Sequence, residues 1–161
     1  MRVRDCMSEN VVTITPEESA ALAARLMTRH NLGVLAVCDY HGKLQGVVTD
    51  RDIITRCVAV DQDPSRVPVA DIMSAQVETI APEENAQAAT ERMARKQVRR
   101  LPVVEAGKLV GVVSLNDLAR NRKTEMEAAQ ALCEISGNVK KRKYDVAFLE
   151  GKPRSVQKTC R

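Results

Sequence analysis

The constraint that dominates this chain is an internal repeat. The stretch Val3-Arg4-Asp5-Cys6-Met7-Ser8 returns as Val69-Ala70-Asp71-Ile72-Met73-Ser74. At the same spacing, Val11-Val12-Thr13-Ile14-Thr15-Pro16-Glu17-Glu18 returns as Val77-Glu78-Thr79-Ile80-Ala81-Pro82-Glu83-Glu84. Met27, Arg29 and Val37 have counterparts in Met93, Arg95 and Val103. One residue is then lost near Tyr40-His41, after which Gly42 to Thr49 matches Gly107 to Ser114 and Asp52 matches Asp117. Loop tips tolerate deletions best, so the slippage marks a hairpin turn.

Each copy reads as the series β-α-β-β-α. Val11 to Thr15 is a short β-branched run closed by Pro16, with Thr15 expected as helix cap, Pro16 at the first helical position and acids in the first turn. Ser19 to Arg29 follows as a helix whose Leu22, Ala23, Leu26 and Met27 recur at core spacing. Val34 to Cys38 and Leu44 to Thr49 flank a Gly-containing turn as a hairpin does, and Asp50 to Val58 restarts a helix capped by Thr49 or Asp50. The second copy predicts strand Val77 to Ala81, helix Glu83 to Lys96, strands Leu101 to Val104 and Leu109 to Ser114, and a helix from Leu115 to about Arg122. The polar, Pro-containing stretch Ala59 to Pro68 reads as a linker, which divides the chain into repeats 1–58 and 69–122 and a tail 123–161. In the tail, Thr124 to Ile135 has helical periodicity and Gly137 is expected to end it, with little order between there and Tyr144. One copy of about 60 residues buries too little surface to be comfortable alone. The expected fold is therefore mixed α/β (α+β): two βαββα units packed sheet edge to sheet edge with pseudo-two-fold symmetry, helices outside, and two equivalent clefts.

Composition narrows what such a fold does. With 44% hydrophobic and 29% charged residues the chain can pack a core, but with no Trp, one Phe and two Tyr that core is aliphatic. The stacking platforms that bind single-stranded nucleic acid are missing. The net charge of +4 concentrates late in the chain, above all in Lys140 to Lys143, so it reads as a solvated tail and argues against a nucleic-acid partner. The N-terminus lacks an apolar signal core and no apolar run has the length of a membrane span, so the expectation is a cytoplasmic protein with no membrane contact. The five cysteines show neither CxxC pairing nor His at ligand spacing, which fits neither a zinc site nor a disulfide framework, and Cys38 reads as a small buried hydrophobe. His30 and His41 have no triad-type neighbour in the sequence, so no catalysis and no catalytic cofactor or metal is expected.

Two motifs carry chemistry. In Gly46-Val47-Val48-Thr49-Asp50-Arg51-Asp52, echoed by Gly111-Val112-Val113-Ser114-Leu115-Asn116-Asp117, a strand delivers a hydroxyl residue and, three positions on, a carboxylate. One use of that spacing is a helix-capping box worth about 1 kcal/mol. The other is ligand binding, the carboxylate accepting ribose hydroxyls while the hydroxyl and helix-terminal N–H groups receive phosphate. The second motif is Val98-Arg99-Arg100-Leu101-Pro102-Val103-Val104, two arginines before a buried strand, where alternation lets one of them face a given cleft unless the strand end twists. The matching Leu32-Gly33-Val34 carries no charge, so the two clefts should differ chemically.

With both copies carrying a Val-x-Thr-Ile run, a Leu-Pro-Val-Val or Leu-Ala-Val-Cys strand, a Gly-Val-Val-(Thr/Ser) strand and a closing Asp, the chain resembles tandem CBS domains forming a Bateman module. Asp50-Arg51-Asp52-Ile53 and Val98 to Val103 are similar to the small stand-alone bacterial type that includes the hypoxic-response proteins. The resemblance spans Val3 to about Arg122 and implies a homodimeric regulatory module. Its ligand would be AMP, ADP or ATP, with S-adenosylmethionine or NAD as alternatives, and its output would pass to a regulated protein that the resemblance does not identify. It implies that the closing Asp holds the ribose, that the preceding hydroxyl lies near ribose and phosphate, and that bases before the Leu-Pro-Val strand meet phosphate. One implied cleft combines Asn10, Leu32, Gly33 and Val34 with Val112, Ser114, Asn116 and Asp117. The other, preferred because it joins an Asp to a cation cluster, combines Val77, Val98, Arg99 and Arg100 with Val47, Thr49, Arg51 and Asp52. A ligand-free dimerisation or protein-interaction module is the alternative.

Overall fold

The computed structural model describes residues 1–139. The first repeat forms β1 (Thr13–Ile14), α1 (Ala20–His30), β2 (Val34–Cys38), β3 (Leu44–Thr49) and α2 (Asp50–Arg56). A 3-10 turn, Val58–Val60, then leads to α3 (Val69–Ile72), α4 (Ala86–Lys96), β4 (Arg100–Glu105), β5 (Lys108–Ser114), α5 (Leu115–Ala119) and α6 (Glu125–Val139). Strand order is β1-β2-β3 in one sheet and β4-β5 in the other. Antiparallel register sets Val34 opposite Thr49 and Arg100 opposite Ser114, so each hairpin brings the entry of one strand beside the cap of the next helix.

The strand expected over Val77 to Ala81 contracts to a single parallel bridge, Ile80 to Val103. Ile80 N–H donates to the Pro102 carbonyl at 3.1 Å and Val104 N–H donates to Ile80 at 2.9 Å. The next rung needs an N–H from residue 102, and proline has none. Repeat one has Ala36 there, and Thr13 and Ile14 pair in full with Ala36 and Val37.

The helix starts also differ from expectation. Ser19 caps α1, its hydroxyl accepting the Leu22 N–H at 3.2 Å, and Asn85 caps α4 by accepting the Gln87 N–H at 3.0 Å. Thr15-Pro16-Glu17-Glu18 is a turn rather than a first helical turn, because its carbonyls serve another segment. Val69 N–H donates to Glu18 at 2.7 Å and Ala70 N–H to Pro16 at 2.9 Å, while Ala20 N–H donates to Val67 at 2.9 Å. The same three bonds recur one repeat away: Val3 to Glu84 at 2.9 Å, Arg4 to Pro82 at 3.0 Å and Ala86 to Met1 at 3.1 Å. Each repeat thus donates its lead-in, residues 3–8 or 69–74, to the other.

Packing follows this exchange. Val69 and Ile72 are buried in a core with Ile14, Ala23, Met27, Leu35, Val37 and Val48, whereas Val3 is buried with the repeat-two equivalents Ile80, Ala89, Met93, Leu101, Val103 and Val113. The lead-ins end on the sheets' outer edges, where Ser74 bridges to Val47 of β3 and Ser8 to Val112 of β5. The two edge strands approach one another at their tips through a Lys43 to Lys108 bridge. Those contacts give the molecule its pseudo-two-fold axis.

Helix α6 packs on α4 and α5 through Ala128 and Ala131, both buried. It runs through Gly137, the expected end, since an interior glycine costs only about 1 kcal/mol against alanine and does not by itself stop a helix. Of the stretch expected to have little order before Tyr144, Asn138 and Val139 continue the helix, while the basic run Lys140 to Lys143 and Cys160 lie outside the described residues. Among those described, no helix is long and apolar enough to cross a membrane, and no three His, Cys, Asp or Glu side chains cluster as a metal site requires.

The close approach of the lead-ins depends on two glycines. A Cβ on Gly46 would sit 2.5 Å from the Ser74 carbonyl oxygen; one on Gly111 would sit 2.8 Å from the Met7 sulfur and 3.0 Å from the Ser8 oxygen. Gly137 has nothing within 4 Å among the described residues. Urea denaturation should therefore rank Gly46→Ala as the most destabilising, by about 1–3 kcal/mol. Gly111→Ala should follow, because the Met7 side chain can give, while Gly137→Ala should be neutral or stabilising by up to about 1 kcal/mol.

Candidate functional site

Between the repeats lies one cavity of about 660 Å³. It is bordered by β3, β5, the two lead-in ends and the approach to β4, so the two clefts expected from the repeat open into one volume. All the residues singled out from the sequence border it except Gly33, Arg51 and Asn116. Arg51 and Asn116 occupy the first turns of α2 and α5, where consecutive positions are about 100° apart. The carboxylates of Asp52 and Asp117 face the cavity while these two neighbours are exposed elsewhere. Gly33 turns its Cβ position toward the Asp50 carboxylate, 3.3 Å away, and its carbonyl accepts the Asp50 N–H at 3.1 Å.

The hydroxyl–carboxylate motifs form capping boxes. Thr49 Oγ1 accepts the Asp52 N–H at 3.1 Å, and Asp52 Oδ2 accepts the Thr49 N–H at 2.9 Å and its hydroxyl at 2.8 Å. In the second repeat, Ser114 Oγ accepts from Asp117 N–H at 3.3 Å, and Asp117 Oδ2 accepts from Ser114 N–H at 2.9 Å. Each box commits one carboxylate oxygen and leaves the other. Asp52 Oδ1 lies 3.6 Å from Arg56, whose guanidinium also donates to the Ile72 carbonyl at 2.7 Å; Asp117 has no ion pair among the described residues. Capping and ligand binding are thus compatible uses of the same side chain.

Arg99 and Arg100 both border the cavity. Strand alternation does not separate them, because β4 begins at Arg100 and Arg99 precedes it, its carbonyl accepting the Leu115 N–H at 3.1 Å. Both are exposed, and neither side chain has a carboxylate partner among the described residues. A free guanidinium is a planar fork of donors suited to phosphate or carboxylate oxygens.

Sequence reasoning missed Ser8, Ser74, Gln76, Glu78 and Lys96 as cavity residues, along with the apolar wall of Val11, Val12, Ala36 and Pro102. Ser8 and Ser74 arrive only through the lead-in exchange, which no local pattern announces. Glu78 had a signal, a lone charge in a β-branched run. It meets Lys96 Nζ at 3.2 Å, Arg92 Nε at 3.7 Å and Arg95 at 3.9 Å. Arg92 also holds the wall through Glu84, at 2.7 Å, and through the Thr79 carbonyl at 2.5 Å.

Burial first, then the Asp117 and Asp5 carboxylates, lifts the Cys6 thiol above its ordinary value; burial and Asp39 do the same for Cys38. Both are therefore thiols, not thiolates, at neutral pH. Glu84 is shifted the other way. The Ala81 N–H at 2.9 Å, aided by Arg92, holds its carboxyl below the ordinary value despite the opposing push of burial.

The chain matches the CBS domain family over residues 3–59 and 69–123. It is 40% identical over 134 residues to the CBS domain-containing protein YhcV of Bacillus subtilis, covering 83% of this chain and 94% of that one. Hypoxic response protein 1 of Mycobacterium tuberculosis is 31% identical over 118 residues, covering 73% of this chain and 82% of its own length. Among solved structures, the CBS domain pair of protein MJ0100 in complex with 5'-methylthioadenosine and S-adenosyl-L-methionine superposes with a TM-score of 0.67. That pair is 28% identical, over 74% of this chain and 98% of its own.

A carboxyl depressed on folding binds its proton less readily in the folded chain, so the stability it lends exists above the ordinary carboxylate range and is lost as pH falls through the depressed value. Glu84→Gln should lower the thermal midpoint at neutral pH, and its gap to wild type should close as the buffer is acidified through that range. An equal gap at both ends would mean that Glu84 acts by shape alone.

Proposed function

The chain belongs to the CBS domain family, and from that premise we propose that it is a non-catalytic regulatory module that binds an adenine nucleotide in the cleft between its repeats. The observation that carries this reading is the cavity, one volume holding two hydroxyl–carboxylate boxes and two arginines without carboxylate partners among the described residues. The vicinal hydroxyls of a ribose are donors for the Asp52 oxygen outside its capping box, which Arg56 approaches at 3.6 Å, and phosphate oxygens accept from Arg99 and Arg100. Val12, Val47, Val77 and Val98 offer the apolar wall that an adenine face requires. AMP and ATP are the leading ligands. S-adenosylmethionine and NAD share their adenosine end, and the bound state of MJ0100 supports an adenosine-type ligand in general. Occupancy acts through unequal affinity for different arrangements of the repeats, which a partner protein then reads.

Calorimetric titration with AMP, ATP, S-adenosylmethionine and NAD tests this. At least one should bind, and Asp52→Asn and Arg100→Ala should each weaken it about tenfold or more, the scale of a lost hydrogen bond to a charged group. Asp117→Asn should cost less. No binding by any of the four overturns the ligand reading.

A separate observation favours an interaction surface. Ile54, Val58 and Val60 are 59%, 52% and 57% exposed on α2 and the turn after it. Helices α4 and α5 carry α6, whereas their counterparts α1 and α2 carry no such cover among the described residues. We infer that this face pairs two copies, with or without nucleotide. Sedimentation equilibrium should find a dimer that Ile54→Asp dissociates while nucleotide affinity is retained; an unchanged dimer would overturn the assignment of this face.

A further inference from the structure

Resting on the nucleotide reading above, we propose that Glu78 is a specificity residue that selects against long phosphate chains by occupying Lys96. Lys96, Arg99 and Arg100 border the cavity from one short stretch, the last residue of α4 and the entry to β4. Three cations there would suit a polyphosphate. Glu78 borders the same cavity and lies 3.2 Å from Lys96 Nζ, so that ammonium is already paired. Among the described residues, the two arginines are the cavity's cations left over.

Charge counting turns this into a preference. A phosphate monoester carries about two negative charges near neutral pH. Arg99 and Arg100 balance a monophosphate of that charge. A triphosphate brings further negative charge, needs a third cation, and must either draw Lys96 from Glu78 or keep part of its own charge unbalanced. Both cost affinity that a monophosphate does not lose. The repeat-one counterpart of Glu78 is Val12, so the device belongs to one repeat only.

Glu78 is not needed to hold the wall. Arg92 keeps Glu84 and the Thr79 carbonyl when Glu78 is neutralised, so Glu78→Gln should fold, which its circular dichroism and thermal midpoint will check. Calorimetry of AMP, ADP and ATP should find AMP tighter than ATP in the wild type. In Glu78→Gln the ATP to AMP affinity ratio should rise about five- to tenfold, the scale of one charge at a few ångströms under near-aqueous screening. Lys96→Met alone should change the ratio little, but in the Glu78→Gln background it should cancel the gain, a coupling that a merely structural role for Glu78 would not produce. If wild type binds nucleotide and the ratio does not move in Glu78→Gln, or if wild type already prefers ATP, this selection is overturned while the nucleotide reading stands. If neither wild type nor Glu78→Gln binds any of the three, this selection falls, and the nucleotide reading falls with it when S-adenosylmethionine and NAD do not bind either.

Discussion

The rest of the structure depends on the reciprocal exchange of lead-ins. Six backbone hydrogen bonds carry it: three join Glu18, Pro16 and Ala20 to Val69, Ala70 and Val67, and three join their counterparts Glu84, Pro82 and Ala86 to Val3, Arg4 and Met1. These bonds place Val69 and Ile72 in the first core and Val3 in the second, and end with Ser74 and Ser8 on the free edges of β3 and β5. An open sheet edge invites pairing with another chain, and here each edge is covered by the opposite repeat. The cavity exists because this cover leaves the two cap-bearing strand ends facing one another across the axis.

Symmetry of backbone does not carry over to symmetry of charge. Both ends present a hydroxyl and a carboxylate locked by the same capping geometry, so each carboxylate is oriented before any ligand arrives. For the nucleotide proposed above, that pre-organisation would lower the entropic cost of binding. The arginines, Lys96 and Glu78 belong to the second repeat alone, where Pro102 has cut the expected Val77 to Ala81 strand to one bridge and Arg92 has taken the Thr79 carbonyl. Loss of one ladder rung thus goes together with a charged wall in place of an apolar one.

The order of elements, the hairpins and the aliphatic core faces were legible from the repeat, because local periodicity and turn chemistry determine them, whereas most of the cavity lining was reached through the resemblance to tandem CBS domains. What was not legible came from long-range hydrogen bonding. Thr15-Pro16-Glu17-Glu18 has the composition of a helix start, yet its carbonyls are claimed by residues some fifty positions away, so the cap moves to Ser19. Val77 to Ala81 has the composition of a strand, but its partner strand carries a proline at the rung that matters. Arg51 and Asn116 belong to the motif but not to the cavity, since a helix turns neighbouring side chains apart. Glu78 and Lys96 are 18 positions apart with no helical or strand periodicity linking them, and only the packing of α4 against the wall brings them together.

The exchange also bears on ancestry. A solitary repeat of this kind would carry a lead-in with no second core to receive it and a core lacking the residue that its partner supplies. Two separate copies would complete each other through the contacts seen here between repeats. Fusing them by a connection such as Asp61 to Pro68 creates no new interface, since it ties together an association already made by exchange. The inseparable unit in this architecture is the pair, and once joined the two members are free to diverge in charge, as Val12 and Glu78 have done.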